Sequence, residues 1–251
     1  MNQPQHAPPL SGLLIIDKPL GKSSMHACAA VRAKLRRGGA PKRVKVGHGG
    51  TLDPLATGVL VVLVGRATKM QDAVMAGDKG YLARVDLAHV SRTDDAEGPV
   101  EPIRCEPADA KRIRAALPAF VGTIQQRPPA YSAMKIGGRR AYALARQAET
   151  PADLPKLEPR PVRIDSIDLV SLEWPIATLE IRCGKGTYIR SLARDLGAAL
   201  GTGGMLAGLQ RTRVGRWTID RAVTLDSLPE SLTASDLLPP PALPAMQTDA
   251  T

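Results

Sequence analysis

Six consecutive aliphatic residues, Val59 to Val64, stand between Gly58 and Gly65, and a run this short and apolar folds as a strand buried on both faces. Such a strand requires layers of structure on either side of it. The segment leading into it, Gly47-His48-Gly49-Gly50-Thr51-Leu52-Asp53-Pro54-Leu55-Ala56-Thr57, is punctuated by Gly and Pro and holds one carboxylate, Asp53. A single acid on a tight turn, anchored by a rigid strand, is the arrangement of a nucleophile held on a loop. The ordinary use of Asp at such a place is an N-cap or Asx turn before proline.

Other elements follow from periodicity. Gly12 to Ile16 reads as a buried strand ended by Asp17-Lys18-Pro19. A helix capped by Ser23 or Ser24 follows, with Cys28, Val31 and Leu35 on one face and a stop at Gly38-Gly39. Tyr81, Ala83, Val85 and Leu87 alternate with more polar neighbours, the pattern of a half-buried strand that Tyr81 opens. A helix is expected over Ala108 to Phe120, strands over Val162 to Val170 and Ala177 to Cys183, and a helix over Thr187 to Leu200 with Arg190 in its first turn. Strands and isolated helices without regular βαβ alternation indicate an α+β fold on a mixed, mostly antiparallel central sheet with flanking helices. Beyond Ala222 there are four acidic and no basic residues. One domain is expected over residues 1–237, with a Pro-rich, disordered tail over 238–251.

Charge narrows the class of partner. Lys and Arg number 34 against 24 acidic residues, for a formal charge of +10, a balance that attracts polyanions such as nucleic acid. Val31 to Gly50 carries Arg32, Lys34, Arg36, Arg37, Lys42, Arg43 and Lys45 with no acidic residue, so basic charge flanks the Asp53 turn. A solvated helix face running into a loop gives the same pattern. Cys28, Cys105 and Cys183 are far apart with no CxxC pair, and His6, His26, His48 and His89 lack ligand spacing, so neither a disulfide framework nor a metal site is expected. Gly21-Lys22-Ser23 is not a P-loop, because Ile16 stands where that motif needs glycine. Without a spanning apolar run or a signal pattern, the expected location is cytoplasmic.

Several segments, in order, resemble the TruB-type tRNA pseudouridine synthases: Leu13 to Gly21, the Asp53 turn, Lys79-Gly80-Tyr81, Pro128-Pro129-Ala130-Tyr131-Ser132-Ala133-Met134-Lys135, Gly186-Thr187-Tyr188-Ile189-Arg190, and Leu209-Gln210-Arg211. The resemblance implies the pseudouridine synthase fold with an active-site cleft. It makes Asp53 the nucleophile, attacking either the ribose carbon or the uracil ring, Tyr81 the tyrosine at the target base, and Arg190 the ion-pair partner of Asp53. It further implies substrate contacts from His48, Tyr188, Leu209 and Lys79, and support of Arg190 by Asp95. Two departures stand out: the family's TDTxD segment is Ser91-Arg92-Thr93-Asp94-Asp95 here, after Ala88 in place of glycine, and the stretch after Ala222 is too short for a full PUA domain.

The activity this implies is isomerisation of uridine 55 in the TΨC loop of tRNA, on a flipped-out base. The expected partner is the T-arm of tRNA; no cofactor, no membrane and no obligatory protein partner is expected. Two other readings carry different tests: action on another uridine or under RNA guidance, as in the related dyskerin group, and non-catalytic RNA chaperoning, for which a carboxylate beside bound phosphates would be a liability.

Overall fold

The structure is a computed structural model that describes residues 10–150 and 153–240. The chain divides into two units, one formed by Met1–Gly77 with Arg213–Thr251 and the other by Asp78–Thr212.

In the first unit the aliphatic run lies in β3 (Ala56–Gly65), so the strand starts inside the Asp53 motif. It pairs antiparallel with β1 (Ser11–Lys18), from Ser11 opposite Gly65 to Lys18 opposite Gly58, and on its other side with β2 (Val46–His48). Alternate residues Leu13, Ile15, Val59, Val61 and Leu63 point into one core with Ala67, Val74 and Val214, closed by Trp217, Ile219 and Ala222. The intervening residues Ile16, Leu60, Val62 and Val64 are buried as well, as a strand covered on both faces demands.

Helix α1 (Ser24–Arg37) buries Ala27, Cys28, Val31 and Leu35. Ser23 is its N-cap, the hydroxyl accepting from the His26 amide at 3.1 Å, and the helix stops at Gly38 as expected. A short helix, α2 (Gln71–Ala76), was not evident from the sequence; six residues are too few for a periodic signal.

The C-terminal stretch folds back onto this unit. Val223–Thr224 runs parallel to β1, and Leu232 is buried. The expected boundary at Leu237 is passed, because Leu238 and Leu13 exchange both backbone hydrogen bonds at 2.9 Å. An extended segment can pair with β1 whatever its composition. Residues 241–251, the greater part of the tail expectation, lie outside the described residues.

The second unit is built on an antiparallel ladder. Its elements in chain order are β4 (Lys79–Asp86), β5 (His89–Ser91), β6 (Val100–Pro102), α3 (Ala110–Ala116), β7 (Gly122–Gln126), β8 (Lys135–Ile136), β9 (Arg139–Arg140) and α4 (Ala141–Ala145). There follow β10 (Arg160–Glu173), β11 (Ile176–Cys183), α5 (Ile189–Leu200) and β12 (Met205–Val214). The strand order is β12-β4-β11-β10-β7, with β4–β11, β11–β10 and β10–β7 antiparallel. Tyr81, Ala83 and Val85 face Ile181, Leu179 and Ala177 across the β4–β11 ladder, so the period-two alternation in both strands marks one buried layer.

The helix expected over Ala108 to Phe120 is shorter. Asp109 caps α3, and the chain tightens into a 3₁₀ turn over Leu117–Phe120, where Pro118 lacks the N–H that would continue the α-helix. Helix α5 begins at Ile189 with Tyr188 as N-cap, and buries Ile189, Leu192, Ala193, Leu196 and Leu200 along one stripe.

Candidate active site

Asp53 sits half-buried on the connection from β2 to β3, and the backbone on both sides of it is tied down. On the N-terminal side, the Ser24 hydroxyl donates to the Leu52 carbonyl at 3.0 Å and accepts from the Leu52 amide at 2.8 Å. On the C-terminal side, the Pro54 carbonyl accepts from the Gly21 amide at 2.8 Å. The Asp53 carbonyl itself accepts from the Ala56 amide at 3.0 Å, closing the turn. Gly49 is bound through its amide to the Val61 carbonyl at 2.8 Å. A Cβ there would lie 2.2 Å from a Val74 methyl, so the approach of this loop to α2 admits glycine alone.

Lys18 completes the clamp. It is the last residue of β1 rather than part of an exposed turn, and is fully buried. Its ammonium donates to the carbonyls of Pro19 at 2.8 Å, Lys22 at 2.5 Å and Pro54 at 3.5 Å. A buried cation stapling Pro19 to Lys22 and reaching the residue after Asp53 couples the end of β1 to the acid's loop. In Lys18→Met the apolar stem stays and the Pro19 and Lys22 carbonyls lose their donor. A loss of about 2–3 kcal/mol is expected, or about 5–10 °C in melting temperature for a chain of this size, with reduced turnover. Thermal unfolding beside wild type checks it, and an unchanged melting point would show that the ammonium is dispensable.

The basic run before this loop serves structure more than its composition suggests. Arg32 donates to the Val46 carbonyl at 3.0 Å and Arg36 to the Lys42 carbonyl at 2.5 Å. Lys34 donates to the Leu228 and Pro229 carbonyls, and Arg37 to that of Glu230. Near the C-terminus of α1, cations also meet the negative end of the helix dipole. Arg36, Arg37, Lys42, Arg43 and Lys45 are exposed. His48, half-buried, ends β2 opposite Val62.

The other expected site residues belong to the second unit. Lys79 and Tyr81, both 8% exposed, point to the same face of β4, opposite Cys183 and Ile181. Burial, aided by the nearby Arg211 guanidinium, pushes the Lys79 ammonium below the usual lysine range. Burial likewise raises the Cys183 thiol to about 11, so it stays a thiol at neutral pH. Leu209 is half-buried on β12, two residues before the fully buried Arg211.

Arg190, 7% exposed, is held by oxygens on several sides. Its guanidinium donates to the Thr93 carbonyl at 3.1 Å and the Tyr131 carbonyl at 3.0 Å, and lies 3.3 Å from the Asp95 carboxylate. Asp95, 1% exposed, also accepts from the Thr93 hydroxyl at 2.6 Å and the Glu97 amide at 3.0 Å. The structure thus unites Arg190 and Asp95 despite the altered Ser91–Asp95 segment. Beside them Asp94 adopts φ 59°, which aims it at Arg194, 2.9 Å away. Burial holds the Asp94 carboxyl above the usual range, against the lowering pull of Arg194 and Arg190.

The match to a family model for the N-terminal domain of TruB family pseudouridylate synthases runs over residues 36–189, and that for the C-terminal domain of tRNA pseudouridylate synthase B over 190–239. The chain belongs to the TruB family. Proteins named tRNA pseudouridine synthase B resemble this family member closely: 46% identity with that of Gluconacetobacter diazotrophicus over 88% of this chain and 69% of the relative. The Parabacteroides distasonis protein is 41% identical over 88% of this chain and 92% of its own length.

Among solved structures, a Cbf5–Nop10–Gar1 complex contains a chain similar over 91% of this one with a TM-score of 0.65 and 27% identity. An archaeal box H/ACA Nop10–Cbf5 complex matches 86% with a TM-score of 0.61. The TruB-family chain spans 59% and 52% of those two. The fold is that of the pseudouridine synthases, as the sequence motifs implied, and the TruB-family chain is an isomerase. Among the described residues no group of His, Cys, Asp and Glu is placed to hold a metal ion, and no helix is long and apolar enough to cross a membrane.

Sequence reasoning missed the contacts that Lys18 and Ser24 make to the Asp53 loop and the Arg194–Asp94 pair. Lysine directly after an apolar strand was a usable signal for the first, because a charge ending a two-face-buried strand needs internal partners.

Proposed function

We propose that this enzyme isomerises uridine 55 in the TΨC loop of tRNA, acting alone in the cytoplasm, with Asp53 as nucleophile. The observation that carries this reading is the Asp53 loop, fixed from both sides by Ser24, Gly21 and Lys18 within a chain that matches the family models over residues 36–239. A nucleophile held this rigidly reaches the substrate without further ordering of its loop.

The reaction exchanges a glycosidic C–N bond for a C–C bond. The ring carbon that forms the new bond loses its proton and the released ring nitrogen gains one, so the balance closes without oxidant or cofactor. Asp53 splits the exchange into steps by forming a covalent intermediate. Tyr81 lies against the flipped base and assists proton removal from that carbon. Arg190 pairs with Asp53 and keeps it ionised where water is excluded, with Asp95 holding the guanidinium from its other side. His48, Tyr188, Leu209 and Lys79 contact the substrate around the extruded nucleotide.

Purified protein with an unmodified tRNA transcript, and nothing else, is expected to yield one pseudouridine, at position 55, mapped by chemical labelling and primer extension. A transcript with cytidine at 55 is expected to yield none. Modification elsewhere, or only after adding another protein or RNA, would overturn the assignment.

A further inference from the structure

The turn Gly186-Thr187-Tyr188 that delivers the chain into α5 is shaped from outside. Gly186 takes φ 84°, and Tyr188, the N-cap of α5, makes no side-chain capping bond. Two side chains from a neighbouring ladder do the work instead. Gln126, 1% exposed, donates its amide to the Tyr188 carbonyl at 3.1 Å and accepts from the Tyr188 amide at 2.8 Å. Arg160 donates to the Gly186 carbonyl at 2.9 Å and reaches the Met134 sulfur at 3.0 Å, with its guanidinium carbon 5.3 Å from the centroid of the Tyr188 ring. Gln126 and Arg160 are register partners across the β7–β10 ladder.

This pairing is chemically selective. A carboxamide carries a donor and an acceptor on separate atoms side by side, which lets Gln126 copy a strand pair and bond both backbone groups of Tyr188. Glutamate in its place would meet the Tyr188 carbonyl with a second acceptor. Arginine at 160 combines a planar fork for two acceptors with a face that stacks on the tyrosine, and lysine offers neither.

We infer that Gln126 and Arg160 are positioning residues for the reaction: a bracket that sets the turn carrying Tyr188 and aims the first turn of α5, with Arg190, before RNA arrives. The inference rests on the proposed roles of Tyr188 and Arg190 at the substrate. Arg160 ties the same bracket to Met134, in the segment just ahead of β8, so the turn and that segment are set together.

The test uses the full chain and the variants Gln126→Met, Gln126→Glu and Arg160→Lys, each read by amide hydrogen exchange over residues 184–192 and by kcat and KM on a tRNA transcript. Gln126→Met is expected to exchange at the Tyr188 amide about tenfold faster or more. Its kcat should fall about tenfold to a hundredfold, with KM within about threefold of wild type. Arg160→Lys should shift in the same direction by less. Gln126→Glu keeps the shape and the acceptor for the Tyr188 amide, so if the Met variant fails to fold, the Glu variant decides by a loss of kcat at near-native exchange elsewhere in the chain. Wild-type exchange in the Met variant, or in its place wild-type kcat in the Glu variant, would overturn the bracket, and faster exchange with wild-type kcat would overturn the positioning role. Asp53→Asn measured alongside separates the two layers: turnover retained there would remove the reading of the site, while the exchange comparison still judges the bracket.

Discussion

Asp53→Asn is expected to lower single-turnover conversion of tRNA by about four orders of magnitude or more, the scale on which removal of an activated nucleophile acts. Asparagine keeps the volume of the side chain, and the bonds that fix the loop run through the backbone of Leu52, Asp53 and Pro54 and through Ser24, Gly21 and Lys18. The loop should therefore keep its course in the variant. Binding of tRNA, dominated by cations and phosphates, should stay within about tenfold of wild type. Filter binding and single-turnover conversion on one preparation check both halves. Conversion within about a hundredfold of wild type would exclude Asp53 as nucleophile. Any RNA-chaperone activity of the chain should survive the substitution, since it needs binding and no chemistry.

Arg190→Lys should be the second most damaging change. The guanidinium is required at once by the Thr93 carbonyl, the Tyr131 carbonyl and the Asp95 carboxylate, and in the proposed mechanism by Asp53 as well. A lysine keeps the charge, but its single ammonium cannot span acceptors disposed around a planar fork. Turnover is expected to fall about a hundredfold or more through misplacement of the acid's partner, with tRNA affinity changed only slightly. Loss of one buried hydrogen-bonded partner should cost about 1–3 kcal/mol of stability. The opposite pattern, near-native turnover at saturating tRNA with a salt dependence of binding shallower by about one, would make Arg190 a phosphate contact.

The contrast between Asp95 and the basic run shows where a sequence stops being legible. Asp95 stands in a segment that departs from the family pattern at Ser91 and Arg92, yet it is 1% exposed and bound to Arg190, because the carboxylate and its backbone path are what the ion pair uses. The run from Arg32 to Lys45 reads as a surface for polyanions, yet Arg32, Lys34, Arg36 and Arg37 all spend donors on backbone carbonyls. Charge is visible in a sequence, but the acceptors that occupy it are not: three of those carbonyls belong to residues 228–230, almost two hundred positions away.

What the sequence by itself determined is whatever rests on local periodicity and on long motifs. These are the two-face-buried β3, the caps and stripe of α1, the alternation along β4 and along β11, the helix that carries Arg190, and the family. Each is encoded within a few residues of itself, by the period of a strand or a helix or by turn residues. Only the tertiary structure decided how the site residues are held. A hydroxyl in the first turn of α1 brackets Leu52, a lysine closing β1 staples the chain beside Pro54, an amide on β7 holds both backbone groups of Tyr188 ahead of α5, and Leu238 pairs with Leu13. Every one of these contacts joins residues that chain order leaves apart. Buried polar groups must find partners wherever the fold brings donors and acceptors into range, and that range is set by the packing of the whole unit rather than by any segment of it.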